Sequence, residues 1–265
     1  MMALKRLYLG AILFFMYAPI FVLMVFSFNA SRSRNTWEGF SLEWYIALFN
    51  DPEIARALWN TLIVAVFSTL VSAIIGTTAA VGIEKMGRRA SAAVMGVTKL
   101  PVMMPDIVTG LSLMMLYLFI FRMVGQGRLG LGTLLVSHIV FNVPYVILCV
   151  IPKLRQLDPN LYEAALDLGS SPPRAFLQVI LPEIWPGVVT GAMLAFTLSV
   201  DDFMVSFFTT SPGVQNLSIL IFTMTRRGVN PRINALSTIM FIAIMLMLFL
   251  IYRRDRRQAK RLEES

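Results

Sequence analysis

Three aspartates, Asp106, Asp201 and Asp202, stand in or beside long apolar runs of this chain. A charge inside a membrane segment costs about 2.5–3.5 kcal/mol on insertion scales, so each needs a partner or a task. The task open to carboxylates there is attraction of a cation. The structural alternatives are protonation, or pairing with an Arg of a neighbouring subunit. On one continuous helix Asp201 and Asp202 point about 100° apart, so different roles are expected of them. Asp202 shares a small, polar stripe with Ala195, Ser199, Ser206 and Thr209, which suits a path. Asp201 shares Leu194, Leu198, Val205 and Phe208, which suits a structural or subunit-interface partner. Asp106 follows Pro101 and Pro105, so the helix there is expected to break, either freeing carbonyls that help hold a cation or kinking for packing. Asn29, ending the first apolar run, is either a hydrogen-bonding group at the rim of the substrate path or a helix end. His138, beside Ser137, suits an interhelical hydrogen bond better than a ligand role.

A second group lies outside the apolar runs. Glu163 and Asp167, four apart, share the polar side of a short helix whose apolar side is Leu161, Ala165 and Leu168. Asp158 is placed to cap this helix, with Pro159 as its first position and Gly169 as its left-handed stop. Ser170 or Ser171 followed by Pro172 and Pro173 restarts the chain, predicting a second short helix that ends before Pro182. So short an amphipathic helix is marginal alone in water. It belongs in a partner's groove, where Ala164 and Ala165 permit close approach, or flat on a membrane surface.

The elements that position these groups follow from composition. The 265 residues are 57% hydrophobic and 14% charged, with a mean hydropathy of +0.72, against about 25% charged in soluble domains. Stretches near 7–28, 59–83, 101–121, 133–151, 184–209 and 233–252 are long enough for a helix to cross about 30 Å of hydrocarbon. The spacing therefore predicts an all-α membrane protein of six spans in a single domain, 1–265, with an inward loop over 152–183. The first span is too long in its apolar core for a cleaved signal peptide and is expected to stay. Most of the 23 Lys and Arg fall on the side of the N-terminus, among them Lys85, Arg88, Arg89, Lys153 and the tail from Arg253. That bias places both termini in the cytoplasm. The net charge of +8 therefore reflects orientation and contact with lipid, and no nucleic-acid partner is expected.

Glu163-Ala164-Ala165, with Gly169 after it and Ile180-Leu181-Pro182 downstream, resembles the EAA loop of permease subunits of bacterial ABC importers. The resemblance extends over nearly the whole chain and narrows to importers of spermidine and putrescine. Ser27-Phe28-Asn29, Trp44-Tyr45, Met104-Pro105-Asp106-Ile107-Val108, Ser137-His138, Phe196 to Asp202 and Asn234-Ala235-Leu236 carry it. Arg232 departs from it, standing where an acidic residue is expected. The resemblance implies a type I importer permease fold, with 163–169 as a cytoplasmic coupling helix for an ATPase. It also implies a second homologous permease subunit, two ATPase subunits that hold ATP and Mg, and a periplasmic polyamine-binding protein. The segment 211–232 is then a rim or re-entrant element near the outer gate.

An enzyme finds no support in one His, one Cys and the lack of a nucleophile elbow. No phosphate loop occurs, so ATP hydrolysis is expected elsewhere, and no cofactor or metal on this chain. A permease for another small solute, or a secondary transporter using the intramembrane acids for an ion cycle, are the rivals.

Overall fold

The computed structural model describes residues 2–31, 36–226 and 231–263. Twelve α-helices are described. They are α1 (Met2–Phe26), α2 (Glu43–Phe49), α3 (Pro52–Lys85), α4 (Arg88–Met103), α5 (Asp106–Val124) and α6 (Leu131–Leu154), followed by α7 (Leu161–Asp167), α8 (Pro172–Ala175), α9 (Leu181–Asp201), α10 (Met204–Thr209), α11 (Leu217–Arg226) and α12 (Pro231–Glu263). Among the described residues, five stretches are long and apolar enough to cross a membrane: Arg6–Phe26, Pro52–Lys85, Asp106–Val124, Leu131–Leu154 and Pro172–Asp201. The expected sixth falls on α12, which runs unbroken through 233–252 and contributes the shorter apolar stretch Pro231–Leu246.

The chain divides into two compact units. In the unit formed by 1–55 and 221–265, α12 packs against α1 and α2. Its order comes from aromatic and polar contacts after α1. Trp44 is buried and donates from Nε1 to the Asn29 carbonyl at 2.7 Å, Phe28 stacks on Phe40 and Tyr45, and the hydroxyls of Ser27 and Tyr45 lie 2.7 Å apart. Arg232 pairs with Asp51 at 3.1 Å within this unit.

In the unit formed by 56–220, α6 and α9 form the principal packing pair and run antiparallel. Gly187 and Gly191 make the approach possible. A Cβ at Gly187 would stand 2.9 Å from the Cys149 carbonyl, and one at Gly191 would stand 3.1 Å from the Val146 Cα. Small residues let helix backbones close in this way where no water drives association. The apolar core joins Ala80 and Ile83 of α3 to Val146, Val150 and Ile151 of α6 and to Ile184, Val188 and Ala195 of α9.

Three expectations are corrected. The third span starts at Asp106, since Pro101 lies inside a separate helix, α4, over residues expected in part to be a loop. The chain breaks at Met104-Pro105, because a residue before proline is pushed to extended backbone, and Met104 has ψ 147°. The fifth span is interrupted, as α9 ends at Asp201, Asp202 is extended, and α10 begins at Met204. The second short helix does not stop before Pro182. From Pro172 through a π-helical turn at Phe176–Ile180 into α9, the chain forms one rod of 30 residues, about 45 Å long at 1.5 Å per residue.

Candidate functional site

The break after Asp201 separates the two aspartates by environment. Asp202 is 8% exposed and both oxygens of its carboxylate are engaged. Oδ1 accepts from Val205 N at 3.1 Å, and Oδ2 accepts from Ser206 N at 2.7 Å and from the Ser206 hydroxyl at 2.8 Å. It thus caps the first turn of α10, supplying charge where the helix dipole favours an anion. His138 Nε2 stands 3.6 Å from Oδ2 and 3.0 Å from the Ser206 hydroxyl. Asn216 Nδ2 donates to that hydroxyl at 2.7 Å, and its Oδ1 accepts from Ile219 N at 3.0 Å in the first turn of α11. His138 therefore makes the interhelical contact expected of it.

Asp201, by contrast, is exposed at the C-terminal end of α9. The assignment of Asp202 to a path and Asp201 to a structural partner presupposed a continuous helix, and that premise is wrong. Asp202 is the enclosed member of the pair.

α6 ranks these groups by depth. Thr133 donates to the Thr209 carbonyl at 2.7 Å, His138 reaches Ser206, and Asn142 Nδ2 donates to Ser199 at 2.7 Å. Further along, Gly191 lies against Val146 and Gly187 against Lys153. Asn142 stands near the middle of α6, so Ser199 is a mid-span residue and the break lies nearer the α6 N-terminus. Ser199 is fully buried, hydrogen-bonded to Asn142 and, at 3.0 Å, to Ser68 of α3. It joins three helices rather than facing open space. Asp106 opens α5 and is exposed. One turn on, a Cβ at Gly110 would stand 3.0 Å from the Met204 carbonyl, so Asp106 sits at the level of the break, within electrostatic range of Asp202.

Asn29 is likewise not a free rim group. Its Oδ1 accepts from Ser31 N at 3.3 Å and Glu38 N at 3.0 Å, and its Nδ2 donates to the Thr36 carbonyl at 2.7 Å. It organises the turn after α1.

The loop at 152–183 is helical as expected, with corrected ends. α7 starts at Leu161 rather than Pro159, because Asp158 Oδ1 takes up Asn160 N at 2.9 Å in a local turn. Gly169 has φ +85°. Its N–H donates to the Leu166 carbonyl at 2.9 Å and that of Ser170 to the Ala165 carbonyl at 3.1 Å, which is a Schellman stop. Ala165 is buried against the unit, whereas Glu163, Ala164 and Asp167 are exposed. Leu168 does not belong to the inward stripe, being 88% exposed. Tyr162 is held from α3 by Lys85 Nζ, 4.4 Å from its ring centroid, and Arg155 pairs with Glu84 at 3.1 Å.

Ser68, Asn142 and Asn216 were not anticipated from the sequence, whereas Ser206 was placed on the stripe of Asp202. The available signal was the polar residues inside apolar runs, each of which needs a partner across helices. The family model described as "Binding-protein-dependent transport system inner membrane component" matches residues 72–264. The chain belongs to this family. Among curated relatives, the putrescine transport system permease protein PotI of Escherichia coli K12 is 37% identical over 253 residues, covering 94% of this chain and 90% of the relative. The spermidine/putrescine transport system permease protein PotC of the same organism is 38% identical over 240 residues, covering 91% and 89%. Among solved structures, a bacterial ABC transporter involved in the import of the acidic polysaccharide alginate aligns with TM-score 0.72 at 18% identity, covering 97% of this chain and 95% of that one. A chain of the MetNI methionine ABC transporter aligns with TM-score 0.59 at 20% identity, covering 76% and 93%. These two likenesses establish a shared fold. As a family member the chain is a multi-pass inner-membrane transport component.

Proposed function

We propose that this inner-membrane component is one of two permease subunits of an ABC importer for putrescine or spermidine, served by a periplasmic binding protein and driven by two ATPase subunits holding ATP and Mg. The cargo rests on the 37% identity to a putrescine permease over 94% of the chain, together with exposed carboxylates at the level of the break. Both termini lie in the cytoplasm, as the basic residues direct, which puts α7 on the side of ATP.

The single observation that carries the mechanism is the rod from Pro172 to Asp201. At one end, a Schellman turn joins it to α7, whose exposed Glu163, Ala164 and Asp167 form the face for the ATPase. At the other end stand Asp201 and the break. Closure of the ATPase subunits displaces α7, and the rod carries that displacement to the acids, alternating access to the path. Asp201 and Asp106 are the acids that meet the dication; Asp202, Ser199 and Asn29 hold the frame. The carboxylates offer charge without an enclosing apolar pocket, so the cation is held weakly and released.

The test is uptake of radiolabelled putrescine into vesicles containing the complete complex, with ATP inside and receptor outside. Accumulation that requires both supports the reading. Accumulation driven by an ion gradient without the ATPase overturns it in favour of a secondary transporter.

A further inference from the structure

The proton count around Ser206 assigns a role to His138 and Asp202 that differs from cation binding. The Ser206 hydroxyl has one proton and two lone pairs. Its proton goes to Asp202 Oδ2 at 2.8 Å, and one lone pair takes Asn216 Nδ2–H at 2.7 Å. The other faces His138 Nε2 at 3.0 Å, so that nitrogen must be the protonated one. His138 Nδ1, buried and without a hydrogen-bond partner among the described residues, then carries the bare lone pair. Among the described residues, the hydrogen bonds to the Asp202 carboxylate all come from Val205 and Ser206 in the first turn of α10, and the residue is 8% exposed, so the carboxylate is turned into the knot. The knot ties α6, α10 and the start of α11 to the residue immediately after Asp201.

We propose that Asp202 and His138 are a positioning couple: through Ser206 they fix the break between α9 and α10, and so the direction in which Asp201 presents its carboxylate to the cation. This inference rests on the cargo proposed above. Asp202→Asn would set an amide donor against Ser206 N, an opposed pair of donors, and release the break. The loss would be felt at Asp201.

Two measurements test it on the complete complex. Histidine labelled with nitrogen-15 gives a signal for residue 138, the chain's only His, identified by its disappearance in His138→Gln. The expected result is a protonated Nε2 and a bare Nδ1, with the Nε2 signal displaced in Asp202→Asn; a proton on Nδ1 with a bare Nε2 overturns the knot. The second is a double-mutant cycle read as KM for putrescine uptake. Asp201→Asn and Asp202→Asn are each expected to raise KM about tenfold, and the double variant no further, because both act through one carboxylate. His138→Leu should behave like Asp202→Asn, and His138→Gln, which restores an N–H, should recover most of that loss. Fold-changes that multiply would make Asp202 an independent cation ligand and overturn the proposal. A fall in Vmax and protein level with KM unchanged in both Asp202→Asn and the cap-preserving Asp202→Ser would reduce the couple to a fold contact and overturn it equally. If the unaltered complex moves no putrescine, the cargo falls, and the imidazole signal still decides the knot.

Discussion

Gly169 ends α7, the proposed coupling helix, at φ +85° with nothing within 4 Å of where a Cβ would stand, so Gly169→Ala tests backbone conformation free of crowding. An L-residue in the left-handed region pays about 1–2 kcal/mol. Replacing Gly also removes unfolded-state freedom worth about 0.4–1 kcal/mol. The net cost is about 1 kcal/mol, a factor of about five in the population of the stopped helix, since 1.4 kcal/mol is tenfold. That cost falls on the hydrogen bonds from Gly169 N and Ser170 N, which aim the chain from α7 into the rod. The assay is putrescine transported per ATP hydrolysed in reconstituted vesicles. Gly169→Ala should lower that ratio up to about fivefold while receptor affinity and the unfolding temperature of the complex stay near their original values. Gly169→Asn, which tolerates the left-handed region, should lower it much less. Equal ratios for Ala and Gly, or an Asn variant as poor as the Ala one, would refute this account of the stop.

Glu163→Ala should leave ATP hydrolysis running with uptake reduced at least tenfold, measured in the same vesicles. Gly191→Leu should overfill the α6–α9 contact, where a Cβ alone already meets Val146 Cα at 3.1 Å. The expected destabilisation is about 1–3 kcal/mol, read as a lower unfolding temperature in detergent. Asn29→Ala removes an acceptor for two backbone amides and a donor to the Thr36 carbonyl. It should raise protease cleavage between α1 and α2 several-fold without altering KM, whereas a raised KM at normal protease resistance would return Asn29 to the path.

Five of the six expected spans were legible because apolar length is dictated by the bilayer, whereas α12 contributes only the shorter apolar stretch Pro231–Leu246 among the described residues. The stop at Gly169 was legible because glycine is the residue that takes positive φ at no steric cost. The break at Asp202 was not, since nothing between Leu198 and Ser206 forbids a helix. It forms because a carboxylate captured by two amides two turns short of the helix end is stabilised further by His138 and Asn216, which are distant in sequence. The pair of prolines before Asp106 correctly signalled a break but not its place. Pro101 is accommodated inside α4 and Pro105 makes the interruption. For Asn29 the choice between a rim group and a helix end was not legible either, because it depends on hydrogen bonds to Ser31, Thr36 and Glu38 that no local pattern announces. Ser199 sat on the expected stripe, yet that stripe faces α3 and α6.

Coupling through α7 requires that its exposed face, and not its buried one, meets the ATPase. With Cys149 replaced, single cysteines at positions 164 and 165 can be tested for cross-linking to an ATPase subunit carrying a cysteine in its docking cleft. Ala164 is exposed and Ala165 is 7% exposed against its own unit. The expected result is efficient cross-linking for Ala164→Cys, modulated by ATP, and none for Ala165→Cys. Cross-linking at neither position, or at 165 alone, would contradict the assignment of α7 as the coupling element.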